Sequence, residues 1–407
     1  MIDPSLPYPA VLAARAGQLS TLCVHAGEDE SRHGALDLPI TLSSAFGFES
    51  ADEAAGAFRR ENDAYIYGRW GNPNIDALED KLAALEGAET ASVTASGMAA
   101  ISGAIMSICQ SGDHVVAPRS MYAESARLLR ERLPRFGVTT TFVDARDPGA
   151  YAAAIRKETR VLYLETPSNP VLGVADIAAV ARLAKEHGIL SIADNTFATP
   201  FSQTPLALGV DLVVHSMTKA LGGHGDAIGG VLAGRRDLVD VARDLVVKGF
   251  GGVLAPFNAF LIDRGLRTFA LRQAQACATA ATLASRLAAH PGIARVYHPS
   301  LPGHTGHALA RAQMHAYGSL LSFELAGAGA LDRGKRVLEG VRVATHAVSL
   351  GDVRTLLVHP ASTTHSTMNA ETRALADVTD GLLRLSAGIE GAEDLWTDLE
   401  GALARAS

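Results

Sequence analysis

Seven short apolar segments that alternate with segments of helical periodicity constrain the fold of this chain more than any other feature. They cover residues 90–95, 114–117, 140–143, 161–165, 189–193, 211–214 and 230–233. Between two of them, residues 176–187 have the periodicity of a helix that Gly188 closes. Short buried strands that alternate with helices are typical of a mainly parallel sheet covered by helices on both faces, so the sequence predicts an α/β fold.

The chain is long enough for more than one hydrophobic core, because its 407 residues exceed the size of an ordinary domain. Residues 1–60 mix proline, glycine and serine with one short helical run, which predicts an extended N-terminal arm with little core of its own. Residues 61–255 contain the predicted sheet and form a large α/β domain. Residues 256–407 begin with a long helical region and continue with mixed strands and helices, which predicts a smaller α+β domain.

Charge and composition exclude several classes of function. The 36 basic and 43 acidic residues give a formal net charge of -7, whereas a nucleic-acid partner requires a basic face. The three cysteines lack metal-ligand spacing and indicate a reducing compartment. The N-terminus lacks a secretory pattern, and the chain has no apolar run of about 18 residues. We therefore expect a cytoplasmic protein with no metal, no nucleic-acid partner and no membrane span.

Lys219 ends the sequence Val214-His215-Ser216-Met217-Thr218-Lys219, which follows the sixth predicted strand and leads into Gly222-Gly223. A buried lysine loses part of its charge and reacts with carbonyl groups. The hydroxyl groups of Ser216 and Thr218 are suited to hold an anion such as phosphate. Taken alone, the pattern also fits a solvated strand end.

Polar residues follow other predicted strands, at the edge where ligands of parallel α/β sheets bind. Ser96-Gly97-Met98 ends the first strand before a helix, whose free amides suit an anion. Asp194 ends the fifth strand, where a buried carboxylate needs a cationic partner. Tyr122 can stack on a planar ring, and two prolines fix Asn169 as a hydrogen-bond donor. A tight turn, an Asp cap and simple core packing remain alternatives for these motifs.

Two arginines are further anion-binding candidates. Tyr65, Tyr67 and Arg69 alternate along an extended segment, and arginine suits bidentate contact with phosphate or carboxylate. Arg384 lies inside an apolar strand and must find an anion there, such as a substrate carboxylate. Together these motifs require a ligand with a phosphate, a ring nitrogen, a flat aromatic face and an aldehyde. Pyridoxal 5'-phosphate (PLP) has all four.

With these motifs in this order, the chain from about residue 21 to its C-terminus resembles the Cys/Met-metabolism PLP-dependent enzymes. This family includes methionine γ-lyase, cystathionine γ-lyase, cystathionine γ-synthase and the O-acylhomoserine sulfhydrylases. The resemblance implies fold type I, the fold of aspartate aminotransferase, and a homotetramer whose N-terminal arm contacts the neighbouring subunit. The implied cofactor contacts are Lys219 as the Schiff-base lysine, Asp194 on the pyridine nitrogen, Tyr122 on the ring, Gly97, Met98, Ser216 and Thr218 at the phosphate, and Tyr67 and Arg69 from the neighbouring subunit. The implied contacts to a small amino-acid substrate are Arg384, Asn169 and the Ser349 backbone.

The implied reaction is γ-elimination from a γ-substituted 2-aminobutyrate through a vinylglycine-type intermediate. Lys219 would move the substrate protons, and Tyr122, with a pKa lowered by nearby cationic groups, would protonate the leaving group. The alternative is γ-replacement on O-acetyl- or O-succinylhomoserine. Residues 347–352 resemble those of lyases, with Val348 where γ-synthases and cystathionine lyases commonly have Glu, whereas residues 256–259 and 359–366 are closer to those of sulfhydrylases. A non-catalytic PLP-binding protein would lack Lys219 or Asp194, and both are present.

The departures from methionine γ-lyases concern the distal part of the substrate pocket. Glu124 stands where those enzymes have Cys, Lys248-Gly249 replaces a Lys-Asp pair, and Thr41 replaces a Tyr of the arm. A Glu124 carboxylate that faces the pocket would favour a cationic, canavanine-like substrate over neutral methionine. The alternative is that Glu124 points to solvent from the helix that starts there.

Overall fold

The computed structural model describes residues 7–28, 34–364, 366, 373 and 377–406, so residues 1–6 and 29–33 of the predicted arm lie outside the described residues. The α-helices with described bounds are α1 Tyr8–His25, α2 Ala51–Phe58, α3 Pro73–Glu86, α4 Gly97–Met106, α5 Ala123–Arg127, α6 Pro148–Ala154, α7 Ile177–Glu186, α8 Thr199–Ser202, α9 Arg236–Ala242, α10 Pro256–Leu266, α11 Phe269–Ala288, α12 His307–Gln313, α13 Ala330–Gly340 and α14 Ala392–Ala406. The strands are β1 Thr90–Thr94, β2 His114–Pro118, β3 Thr139–Val143, β4 Thr159–Glu165, β5 Leu190–Asp194, β6 Leu212–Ser216, β7 Gly230–Gly234, β8 Ile293–Tyr297, β9 Leu320–Leu325, β10 Thr345–His346, β11 Leu356–Val358 and β12 Leu382–Ser386.

The larger sheet contains all seven predicted strands, in the order β1-β7-β6-β5-β4-β2-β3. β7 is antiparallel to both of its neighbours, and the other pairs are parallel. The prediction of a mainly parallel sheet is therefore confirmed. Because β1, β2, β4, β5 and β6 run in the same direction, their carboxyl ends meet at one edge, where α/β proteins bind ligands.

Both faces of this sheet are covered by helices. In β4, Val161 and Tyr163 pack in the core that includes α4, whereas Leu162 and Leu164 pack in the core that includes α6 and α7. Complete burial of such a side chain contributes about 1.5–3 kcal/mol, which explains why these strands are apolar throughout. Side chains alternate along a strand, so Glu165, the last residue of β4, faces the same side as α4.

The first helix corrects the prediction of an extended arm. Residues of α1 pack against α11, and Leu12, Leu19 and Cys23 are buried in a common core with α3 and α10. Arg15 also joins α1 to α8 by donating to the carbonyl groups of Pro200 (2.6 Å) and Phe201 (3.1 Å). The apolar stripe at helical spacing supplies the driving force for the helix, because tertiary packing, rather than propensity, stabilises most helices in proteins.

Capping residues mark the ends of other helices. Asn72 accepts a hydrogen bond from the Asn74 amide (2.9 Å) at the start of α3, and Gly87 ends this helix with a left-handed φ of 68°. The long helical region after residue 255 consists of α10 and α11. Among the described residues, no helix is long and apolar enough to cross a bilayer.

The smaller sheet has the strand order β10-β11-β12-β9-β8. Its pairs are antiparallel except β10 with β11. Helices α11, α13 and α14 pack on it through a separate hydrophobic core. Arg384 lies in the middle of β12, opposite Val358 and Ser322. The domain limits at residues 60 and 255 remain a prediction.

Candidate active site

The amine of Lys219 lies in a partly buried position just beyond the end of β6. Its Nζ donates to the Ser349 hydroxyl group at 2.9 Å. This bond links the segment after β6 of the larger sheet to the segment between β10 and β11 of the smaller sheet. Burial lowers the pKa of Lys219, and the charge of Arg384 lowers it further. The lysine therefore has the increased fraction of neutral amine that a nucleophile or a base needs.

Asp194 is a buried carboxylate at the end of β5. Its Oδ1 accepts a hydrogen bond from the Thr196 amide (3.0 Å), and its Oδ2 accepts one from the Tyr163 hydroxyl (3.4 Å). Burial raises the pKa of Asp194. Among the described side chains, no lysine or arginine forms an ion pair with Asp194, so a bound ligand with a protonated nitrogen would stabilise its charge.

A candidate anion site lies where β1 passes into α4, close to the end of β6. Ser96 caps α4 by accepting from the Ala99 amide (3.2 Å), and the first amides of a helix, here those of Gly97 and Met98, have no partner within it. A Cβ on Gly97 would lie 2.7 Å from the Ser216 Cβ, so only glycine allows this approach. The Thr218 hydroxyl is held nearby by Gly229 (3.3 Å to its carbonyl oxygen).

Arg384 forms a clamp with Asn169 and Ser349. It donates from Nη1 to the Asn169 side-chain oxygen (2.8 Å) and from Nη2 to the Ser349 carbonyl (3.2 Å). Burial lowers the pKa of Arg384 to about 10, which still leaves it charged at neutral pH. Nε is buried and has no hydrogen-bond partner among the described residues. The side-chain oxygen of Asn169 thus accepts from Arg384, and the donor role that the sequence suggested for its amide group stays a prediction.

The pKa of Tyr122 contradicts the sequence-based prediction. Burial raises it, and the negative charges of Glu124, Glu165 and Asp194 raise it further. The predicted lowering rested on cationic groups, but the chain surrounds this phenol with carboxylates. Tyr122 therefore keeps its proton at neutral pH and is suited to donate it.

The carboxylate of Glu124 lies on the surface of its own helical segment. It forms ion pairs with Arg132 (3.0 Å) and Arg127 (3.7 Å), and 42% of its side chain is exposed. This arrangement corresponds to the solvent-facing alternative. The structure thus gives no support to a contact between Glu124 and a cationic substrate.

Tyr67 and Arg69 do not join the Lys219 cluster within one chain. The Arg69 guanidinium donates to the Lys248 carbonyl and lies over the rings of Tyr67 (5.5 Å) and Trp70 (5.9 Å). Arg69, Trp70 and Lys248 line a cleft of about 1410 Å³. Their predicted contact with the phosphate of a neighbouring subunit remains untested.

Sequence reasoning assigned no role to Glu165, although it ends a predicted strand just as Asp194 does. The two residues are register partners at the ends of β4 and β5. Glu165 accepts the main-chain N–H groups of Tyr122 (2.8 Å) and Asn169 (3.2 Å). Burial beside Asp194 raises its pKa. An acidic residue at the end of a buried strand was the signal that could have revealed it.

A buried polar network on the opposite face of the sheet holds the ends of β5 and β6. Glu86 Oε1 lies 2.6 Å from His215 Nε2 and accepts from Asn195 Nδ2 at 3.0 Å. His215 and Asn195 directly precede and follow Ser216 and Asp194, respectively. The network thus anchors the strand ends that carry two predicted cofactor ligands.

The donor set fits PLP, the cofactor that the sequence resemblance implies. Lys219 offers an amine for its aldehyde, and the buried Asp194 offers a carboxylate for its ring nitrogen. Because Gly97 has no Cβ, the N-terminus of α4 packs directly beside Ser216, and its free amides suit the phosphate of the cofactor. Each chemical group of the cofactor has a suitable counterpart at one edge of the sheet.

Comparisons with known proteins agree with this geometry. L-Methionine gamma-lyase of Fusobacterium nucleatum subsp. polymorphum is 44% identical over 387 residues, which cover 95% of this chain and 98% of that protein. O-Succinylhomoserine sulfhydrylase of Pseudomonas aeruginosa is 39% identical over 386 residues, 94% of each chain. A crystal structure assigned as an O-acetylhomoserine (thiol)-lyase of Campylobacter jejuni, which contains N'-pyridoxyl-lysine-5'-monophosphate, matches with a TM-score of 0.90 and 32% identity over 95% of this chain and 99% of that one.

The model of one protein family matches residues 20–404, nearly the whole chain. The PLP dependence of this family agrees with the positions of Lys219, Asp194 and the N-terminus of α4. By sequence, fold and donor set, this chain belongs to the Cys/Met metabolism PLP-dependent enzymes.

Proposed function

We propose that this protein is a γ-lyase that removes the γ-substituent of an L-2-amino acid such as methionine, consumes one water molecule and releases a thiol, 2-oxobutyrate and ammonia. The observation that carries the proposal is that Lys219 and Arg384 both bind Ser349, through its hydroxyl and its carbonyl group. A substrate carboxylate on the Arg384 clamp therefore brings its α-carbon close to the Lys219 amine. The similarity to methionine γ-lyases supports elimination at Cγ.

The side chains divide the chemical work. Bound PLP supplies the electron sink that stabilises negative charge on the substrate carbons. Arg384, oriented by Asn169 and Ser349, binds the carboxylate. Lys219, with its lowered pKa, accepts protons from the substrate, and Tyr122, with its raised pKa, donates a proton to the leaving sulfur.

The test is product analysis with the holoenzyme. Incubation with L-methionine is expected to release 2-oxobutyrate and methanethiol in equal amounts, and Lys219→Ala is expected to abolish both together with the visible absorbance of the bound cofactor. Lys185→Ala, on the exposed surface of α7, is the matched control and should keep activity and absorbance. If the wild type instead converts O-acetyl- or O-succinylhomoserine and sulfide to homocysteine, without releasing 2-oxobutyrate, the alternative γ-replacement function replaces this proposal.

The proposal includes a homotetramer in the cytoplasm. The support for shared subunits is that Arg69, a predicted phosphate ligand, lines a cleft of its own chain and donates to the Lys248 carbonyl rather than to a group of the Lys219 cluster. Mixing the inactive Lys219→Ala and Arg69→Ala variants tests the shared site. If Arg69 acts on the neighbouring subunit, mixed dimers contain one complete site and activity returns. Failure of mixed subunits to recover activity would contradict a shared site.

A further inference from the structure

The buried carboxylate of Glu165 has no role in the reaction described so far. Only 3% of the residue is exposed, and both of its oxygens are occupied by main-chain donors. Oε2 accepts from the Tyr122 amide at 2.8 Å, and Oε1 accepts from the Asn169 amide at 3.2 Å. One side chain thus fixes two loops that are 47 residues apart in the sequence.

These two loops carry the groups that contact opposite ends of the substrate. Tyr122 directly precedes α5, and no side chain caps the helix from this position, so the bond to Glu165 fixes its main chain. Asn169 accepts from Arg384 Nη1 at 2.8 Å and so orients the carboxylate clamp. Glu165 therefore connects the proton donor for the leaving group to the group that binds the α-carboxylate.

The chemistry of a carboxylate suits this position. An ionised carboxylate is an acceptor at both oxygens, whereas the amide of Gln has one acceptor and one donor. Replacement by Gln would therefore direct an NH₂ group at a main-chain N–H and leave one buried donor without a partner. Burial and the charge of Asp194 raise the pKa of Glu165 to about 8, whereas the two main-chain donors and the charge of Arg384 act in the opposite direction.

We propose that Glu165 is a positioning residue that holds Tyr122 and the Asn169–Arg384 clamp at a fixed separation for catalysis. The inference rests on the proposed function for its choice of methionine as the reactive probe. The residue does not touch the substrate in this scheme. It acts by fixing the main chain on which the two contacting groups are mounted.

The first test compares Glu165→Gln with Glu158→Gln, an exposed glutamate just before β4. Binding of L-alanine, which has a carboxylate but no γ-substituent, is followed by the visible absorbance of the holoenzyme. Loss of a hydrogen bond to a charged group corresponds to a change of about tenfold or more. We expect Glu165→Gln to raise the Kd of alanine and to lower kcat for methionine, each by about tenfold, and Glu158→Gln to change neither.

A double-mutant cycle distinguishes positioning from general stability. Asn169→Ala is expected to raise the Kd of alanine, and the double variant Glu165→Gln/Asn169→Ala is expected to show less than the product of the two single effects, because both act through Arg384. A lower melting temperature of Glu165→Gln, with Kd and kcat as in the wild type, would overturn the proposal. If the Gln variant fails to fold, Glu165→Asp takes its place, because it keeps the acidic group but is one methylene shorter. This variant is expected to raise Kd or to lower kcat several-fold, and wild-type values of both would overturn the proposal.

The alanine measurement also separates this inference from the proposed function. A wild type that binds alanine but does not release 2-oxobutyrate from methionine would refute the γ-lyase assignment. The effect of Glu165→Gln on alanine binding would still decide whether the residue positions the clamp.

Discussion

Replacement of the buried Arg272 by lysine is expected to weaken the segment that carries Lys219. Arg272 lies on α11, and only 7% of it is exposed. Nη1 donates to the Ala220 carbonyl (3.0 Å), and Nη2 donates to those of Leu221 (3.3 Å) and Gly265 (2.7 Å). The two carbonyls of residues 220 and 221 directly follow Lys219, so the guanidinium group holds the main chain just after the reactive amine.

The magnitude follows from the number of bonds that a lysine can replace. Nε of Arg272 also donates to the Thr268 hydroxyl (3.2 Å), which gives four bonded acceptors in total. An ammonium group has three donors in a tetrahedral arrangement, so at least one acceptor loses its partner. A hydrogen bond to a charged group contributes about 1.5–3 kcal/mol, and we therefore expect the free energy of unfolding to fall by about 2–4 kcal/mol.

The assay is urea unfolding of the holoenzyme, followed by far-UV circular dichroism and by the visible absorbance of the cofactor. Arg264→Lys on the exposed side of α10 is the matched control and should stay within about 0.5 kcal/mol of the wild type. We expect the visible absorbance of Arg272→Lys to be lost at a lower urea concentration than in the control. If Arg272→Lys is as stable as Arg264→Lys, the reasoning about the guanidinium group is refuted.

Four further changes test other parts of the structure. Glu124→Gln should leave the preference between methionine and canavanine unchanged and lower the free energy of unfolding by less than about 1 kcal/mol, because the carboxylate lies in partly exposed ion pairs. A changed preference in substrate competition would restore the pocket-facing hypothesis. Burial lowers the pKa of His298 to about 4, so between pH 6.5 and 4 the unfolded chain binds a proton that the folded protein does not, and stability falls as the pH falls. His298→Asn should reduce the slope of stability against pH by about 1.4 kcal/mol per pH unit in urea titrations. Gly97→Ala should weaken PLP binding about tenfold or more in equilibrium titrations, since its Cβ would lie 2.7 Å from that of Ser216. The same change at Gly17 of α1, which has no neighbouring atom within 4 Å, should stabilise the protein by about 0.5–1 kcal/mol.

Much of the fold and of the site could be predicted because local periodicity reflects backbone geometry. The seven predicted strands are all present, with boundaries that differ by one or two residues. Lys219 and Asp194 could be assigned to one site because parallel strands bring their carboxyl ends to one edge of the sheet. Helix α1 escaped prediction because its stability comes from packing against α11, which lies more than 240 residues away in the sequence.

The sequence by itself determined the alternation of strands and helices and the chemical groups available for the cofactor. These properties depend on residue type and on short-range spacing. Only the tertiary structure decided the surface position of Glu124, the raised pKa of Tyr122 and the bonds of Glu165. The physical reason is that electrostatic energies and hydrogen bonds depend on distances between side chains, and here folding sets those distances between residues far apart in the chain.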